Sequence, residues 1–389
     1  MNVTGERYSL SFDPLDQQVN FEGMIRTAEK ADLEGIRRYL FEVHDRVNGS
    51  MRLNFRKMRY MNSAALMVIA DFIKYARERN KLAIKLIGSK VITWEGKTLS
   101  SLPSLWDKID FVVHDEHFYG SQGLIEDANF IPLLRNQTRL LWPQEKELLR
   151  KHGLREGMRI ADICCGCGDV ALLIAKELKP SFVVGVDHSV PAIEYALGLQ
   201  REFNVRHVDF RLGDATALMM EDELFDFVLC RLSIQIFSKP EEILKELVRI
   251  LKPGGRVYLL GEDYDLIVGY PNDEEIRTVY DKAGEYGNRM GMDLYNGKKL
   301  YSVLTGLRMS GIKLDYINVD TVNSDRRVFA EMIASWRHFS ADKIGRELKI
   351  SEEDYAALLS GYDTHLKIIK SPYGYTKWTV VAASGEKVR

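Results

Sequence analysis

The residues best suited to chemistry sit in one short stretch. Ile160–Ala171 reads IADICCGCGDVA: a strand ends at Asp162–Ile163, a turn carrying Gly166 and Gly168 follows, and a helix starts near Val170. Glycine at those places lets the backbone approach a ligand closely. The helix start offers free N–H groups and partial positive charge, suited to a carboxylate. A second apolar strand, FVVGVD, ends in Asp187, 21 residues after Gly166, where an acid can accept both hydroxyls of a ribose. Asp214 follows a third strand in RLGDATAL, placed to take an adenine amino group.

Two ligands compete for this pattern. Gly166, Gly168 and Ala171 satisfy G-x-G-x-x-A, the mark of a dinucleotide site. Such a site has no use for Asp162 before the turn or for Asp214, and the turn Lys252-Pro253-Gly254-Gly255 precedes a fifth strand. Taken together, these residues resemble the class I S-adenosylmethionine (SAM)-dependent methyltransferase family. The resemblance implies SAM as cofactor, S-adenosylhomocysteine as its product, and Cys164, Gly166, Asp187, Asp214, Ala215 and Arg231 as the pocket lining. It also implies that the helix expected over Asn136–His152 covers the cofactor, with Arg139 and Trp142 in contact. Cys164 stands where the family usually has the first glycine of D-x-G-C-G-x-G. A double cysteine there is similar to the variant of quinone-biosynthesis methyltransferases.

The same side chains also have plainer readings. Cys164, Cys165 and Cys167 could bind zinc, but no second cysteine or histidine cluster completes a four-ligand set, so no metal is expected. With Cys230 as the fourth cysteine, the spacing makes no disulfide framework. His188 fits the edge of an adenosine better than the role of a base.

The elements that must position these residues alternate strand and helix from Asn136 onward, which implies a mostly parallel sheet covered on both faces. Seven strands are expected: Arg159–Ile163, Phe182–Asp187, Asp209–Leu212, Phe225–Cys230, Gly255–Leu260, Lys313–Val319 and Trp378–Ala383. The fold class is therefore α/β, a seven-stranded Rossmann-like methyltransferase domain over 132–389 with a lid insertion at 261–312. Residues 117–131 read as a linker.

Residues 1–116 read as a separate small α/β domain. Met51, Leu53 and Phe55 fall on one face of a strand, and a helix over Ser63–Asn80 follows, with Asn62 or Ser63 as N-cap. Leu82–Ile87 is another strand, and Thr98–Lys108 a closing helix. The stretch from Lys57 to Trp106 resembles the STAS-like regulator family, whose D-S-[ST]-G loop serine is a phosphorylation site. Here the loop is Asn62-Ser63-Ala64-Ala65. The resemblance implies a homodimer or protein partner through this half.

Composition narrows the acceptor. Lysine plus arginine is 54 and aspartate plus glutamate 56, a net charge of −2 with no dense basic cluster, which disfavours nucleic acid. No signal peptide or membrane span is read, and a cytoplasmic location is expected. The insertion carries Tyr264, Tyr270, Tyr280, Tyr286, Met290, Met292 and Tyr295, adaptable apolar walls for a small metabolite. Asp263 and Tyr264 sit just past the end of the fifth strand and are the expected catalytic contacts. A non-catalytic SAM-binding regulator and a protein or RNA methyltransferase are the alternatives.

Overall fold

The structure is a computed structural model that describes residues 2–5, 7–14, 16–47, 49–89, 98–114 and 127–388. Residues 117–126 of the expected linker lie outside the described residues. The chain divides into two compact units, 1–118 with 216–219, and 119–215 with 220–389. Among the described residues no helix is long and apolar enough to cross a membrane.

The first unit is a six-stranded sheet in sequential order. β1 (Asn2–Thr4), β2 (Tyr8–Asp13) and β3 (Gln18–Ile25) form an antiparallel meander. β4 (Gly49–Met61), β5 (Leu82–Ser89) and β6 (Ile109–His114) continue it in parallel. α1 (Lys30–Arg46) and α2 (Ser63–Arg79) bury Ile36, Leu40, Ile69, Phe72 and Ile73 in the core with Met51, Leu53 and Phe55. The meander, α1 and β6 were not legible in the sequence pattern. The closing helix over Thr98–Lys108 shrinks to a 3₁₀ segment, Leu99–Leu105, with Pro103 inside it. Proline removes a backbone donor and cannot continue a longer helix. Asn62, not Ser63, caps α2: its side chain accepts from Ala65 N at 2.9 Å, and Ser63 is an exposed first-turn residue.

The second unit holds an eight-stranded sheet. Its strands are β7 (Arg159–Ile163), β8 (Phe182–Asp187), β9 (Val208–Leu212), β10 (Phe225–Arg231), β11 (Leu251–Glu262), β12 (Val268–Tyr270), β13 (Ser310–Asp320) and β14 (Tyr375–Glu386). The order is β12-β14-β11-β10-β7-β8-β9, and β13 pairs with the other edge of β14. All seven expected strands are present. The eighth, β12, is three residues long and extends the β11 side of β14, too short to leave a periodic signal. The Lys252–Gly255 turn is a bulge within β11: the partners step from Leu251 to Arg256 while β10 advances only from Phe225 to Phe227.

The helices are α3 (Phe130–Lys151), α4 (Asp169–Glu177), α5 (Val190–Glu202), α6 (Pro240–Ile250), α7 (Asp273–Arg289), α8 (Leu300–Gly306), α9 (Arg326–Arg337) and α10 (Glu352–Lys370). α6 shows why these segments are helical. Pro240 opens it, Glu241 and Glu242 lie in the first turn and Arg249 in the last, matching the helix dipole. Its buried stripe is Ile243, Leu244, Leu247 and Ile250. α3 begins six residues before Asn136, because Pro132 is tolerated in a first turn. Between β13 and β14 a π-helical segment, His338–Gly345, follows α9.

Candidate functional site

The strand ends build the site. β7, β8, β10 and β11 run parallel, so Ile163, Asp187, Arg231 and Glu262 all finish on one side of the sheet. Chain order reverses between β7 and β10, where an open α/β sheet leaves a crevice. A cavity of about 180 Å³ lies there, with Cys164, Gly166, Asp187, Arg231, Glu262 and Tyr264 in its wall. A small adjoining pocket shares Cys164, Asp187, His188 and Phe237 with it and adds Gly213, Asp214 and Ala215. Six of the expected cofactor residues thus fall on two connected hollows.

The turn after β7 is held by its own backbone. Cys164 has φ +62° in the place of the family's glycine, so the left-handed conformation persists at a cost of about 1–2 kcal/mol. Gly166 and Gly168 have φ of +53° and +76°. A Cβ on Gly166 would meet Leu134 Cδ1 at 2.6 Å, and one on Gly168 would meet Phe210 at 2.6 Å and Ala196 at 2.7 Å. Packing against Phe210 and Ala196 therefore demands glycine at 168, while at 166 the demand is the left-handed backbone, since the Leu134 side chain can move aside. Gly166 N donates to Asp187 Oδ2 at 2.8 Å and Ser189 N to Oδ1 at 2.9 Å. Each oxygen keeps a lone pair for a further donor, and a ribose diol supplies two.

Arg231 and the carboxylate of Glu145 on α3 form a two-pronged ion pair, Nε to Oε1 at 2.6 Å, with Nη2 on Oε2. Burial works against the Arg231 charge, but Glu145 more than offsets this and the pKa is raised. Asp162 lies within the influence of both. Burial pushes its carboxyl up to about 7, and its buried Oδ2 has no hydrogen-bond partner. The thiol of Cys164 is also raised, by its contact with Cys230 and then by burial. The four cysteines are free, and among the described residues no group of three metal-ligating side chains is assembled.

Three expected contacts lie elsewhere. Arg139 is on the exposed face of α3, and Trp142 is buried in the core with Nε1 on Glu177 Oε1 at 3.2 Å. The earlier turns of α3 face the cavity instead, through Leu134, Gln137 and Thr138. Arg139 points away from that face, and Trp142 lies a turn beyond Thr138, where α3 has passed the cavity and packs on the core. Asp263 is 1% exposed and its carboxylate points to backbone: Oδ1 accepts from Asp265 N at 3.3 Å and Oδ2 from Lys298 N at 3.0 Å. It is a cap, not a cavity residue. Tyr264 does line the cavity, packed against Tyr280 at 5.1 Å and Trp336 at 5.6 Å between ring centroids.

The residue sequence reasoning missed is Glu262. It ends β11 with 4% exposure, faces the cavity, and takes one hydrogen bond, from Gln137 Nε2 at 3.3 Å. Burial pushes its carboxyl up to about 8. Its signal was present as a charged residue closing an apolar strand, one place before the aspartate chosen. The second apolar wall was also missed. Trp336, Phe339, Ser340 and Ile344 come from α9 and the π-helical segment after β13, not from the 261–312 insertion, which supplies Met292 and Leu294. Tyr270 is exposed, and Tyr280 belongs to a buried chain in which its hydroxyl meets His365 Nδ1 at 2.7 Å.

Residues 154–306 match the family model of a methyltransferase domain. A Staphylococcus aureus (strain JH9) demethylmenaquinone methyltransferase is 34% identical over 116 residues, 30% of this chain and 47% of the relative; the strain Newman sequence matches equally. The chain thus spans about half the length of the curated relatives it matches. Among solved structures, Haemonchus contortus phosphoethanolamine N-methyltransferase 2 in complex with SAM is 16% identical. That alignment covers 91% of this chain and 99% of that one with a TM-score of 0.45. The Bacillus subtilis YcgJ protein is 17% identical, covering 63% and 97%, with a TM-score of 0.41.

Proposed function

We propose that the methyltransferase domain carried by residues 154–306 works as a SAM-dependent enzyme that methylates a small molecule. The observation that carries this reading is the pair of connected hollows around Asp187. Asp214 and Ala215 in the smaller one suit an adenine, Asp187 suits the ribose hydroxyls, and the turn at Cys164–Gly166 suits the amino acid end. SAM, when bound, supplies a methyl group already activated on a sulfonium. What the chain must add is alignment of the acceptor and exclusion of water. The apolar wall of Tyr264, Met292, Trp336 and Phe339 does both on the far side of the cavity.

Arg231, paired to Glu145, helps shape the cofactor end and is not free to bind an anionic acceptor. The small volume of the cavity and the absence of a basic cluster favour a small acceptor over RNA or a folded protein. Residues 1–116 act as a STAS-like interaction module, a reading supported by the strand–loop–helix at Met61–Ala65 and a core of its own. The full chain incubated with SAM and candidate acceptors should release S-adenosylhomocysteine over many turnovers. Tight SAM binding with no turnover on any small acceptor would instead leave a regulator.

A further inference from the structure

The cavity wall holds a buried acid that no cation among the described residues matches. Glu262 is more than nine-tenths buried, its one hydrogen bond comes from the neutral Gln137, and no cation lies within ion-pair distance of it among the described residues. The cavity's arginine, Arg231, is already paired with Glu145, and Asp169 is met by Arg135 at 3.5 Å. Gln235 also faces the cavity, and its buried Oε1 has no partner. Glu262, with a single neutral donor, and Gln235 Oε1, with none, therefore look onto one apolar space. A buried carboxylate without a partner is costly, and a bound donor carrying positive charge relieves that cost. The rings of Trp336, Tyr264 and Phe339 line the same cavity, and aromatic rings attract a cation placed over them.

We propose that the methyl acceptor is an amine that enters as its ammonium ion, with its charge met by Glu262 and its apolar part packed against Trp336, Tyr264 and Phe339. This rests on the methyltransferase reading above. The ammonium nitrogen gives one proton to the Glu262 carboxylate, which frees its lone pair. That pair forms the new N–C bond to the methyl carbon as the S–C bond breaks, and the bonding electrons of the latter stay on sulfur. The products are an N-methylammonium and a neutral thioether, and Glu262 later returns its proton to water. A carboxylate made more basic by burial is better matched to an ammonium than an ordinary one.

The test compares 2-phenylethylammonium with 2-phenylethanol, the same skeleton with and without charge, by calorimetric titration into the full chain saturated with S-adenosylhomocysteine. The proposal expects the ammonium to bind at least about tenfold more tightly than the alcohol. Glu262→Gln should lose about that factor for the ammonium and leave the alcohol and S-adenosylhomocysteine within a few-fold. Equal or tighter binding of the alcohol overturns the proposal in the wild-type protein alone, whether or not the variant folds. Ammonium affinity unchanged in a folded Glu262→Gln protein also overturns it. Failure of S-adenosylhomocysteine to bind sinks the cofactor reading instead, while charge selectivity measured without it still decides the amine proposal.

Discussion

Arg231 and Glu145 bind each other through two hydrogen bonds at the edge of the cavity, and Glu145 is fully buried. Removing one partner of such a pair leaves the other charge uncompensated. Glu145→Gln should therefore destabilise the second unit by about 3–5 kcal/mol. Replacing both, as Glu145→Gln with Arg231→Met, should cost less than the single change. Urea unfolding of the full chain checks this, and a double variant weaker than the single one would contradict it.

Glu262 makes stability depend on pH. Its folded pKa of about 8 lies above the ordinary 4.5, so the folded chain holds a proton that the unfolded chain releases. The contribution is full below about pH 4.5 and is lost as pH rises to about 8. Asp162, raised from 3.8 to about 7, acts in the same sense. His365, lowered by burial from 6.5 to about 3, acts oppositely between those values. Above pH 6.5 the His365 term is spent. Between pH 6.5 and 8 the wild type should therefore lose more stability than Glu262→Gln, read as the shift in urea midpoint. Parallel pH profiles would show that Glu262 is not held protonated.

Asp263 should behave as a structural cap. Asp263→Ala leaves the N–H groups of Asp265 and Lys298 without their acceptor, at a cost of about 1–3 kcal/mol. Turnover per folded molecule should stay within a few-fold. A large loss of turnover with stability intact would restore a direct role.

In the first unit, Asn62→Ala should cost about 1–2 kcal/mol, since the side chain caps α2 and also donates to the carbonyls of Arg26 and Thr27. Ser63→Ala, at an exposed position, should change stability by less than about 0.5 kcal/mol. Thermal unfolding of the two variants decides between the two residues as cap.

The cofactor side was legible because it depends on backbone geometry written into local motifs. Asp187 ends β8, Gly166 and Asp214 follow closely on the ends of β7 and β9, and the ends of parallel strands converge whatever the loops do. The acceptor side was not legible for two reasons. Glu262 and Asp263 are adjacent acids, and only the pleat decides which faces the cavity; successive side chains point to opposite faces. Trp336 and Phe339 come from helices far along the chain, and their place in one cavity wall with Tyr264 and Glu262 is a tertiary fact that no local period records. Arg139 and Trp142 missed because the earlier turns of α3, through Leu134, Gln137 and Thr138, meet the cavity, and which turn of a helix meets a site is set by tertiary packing.

The most direct test of the account is titration of S-adenosylhomocysteine into the full chain and its Asp187→Ala variant. Asp187 joins the two hollows and holds the turn through Gly166 N and Ser189 N. Wild type should bind, and the variant should bind at least about tenfold more weakly, from the loss of hydrogen bonds to a charged group worth about 1.5–3 kcal/mol. No binding by wild type, or equal binding by a folded Asp187→Ala protein, would contradict the assignment of this cavity to SAM.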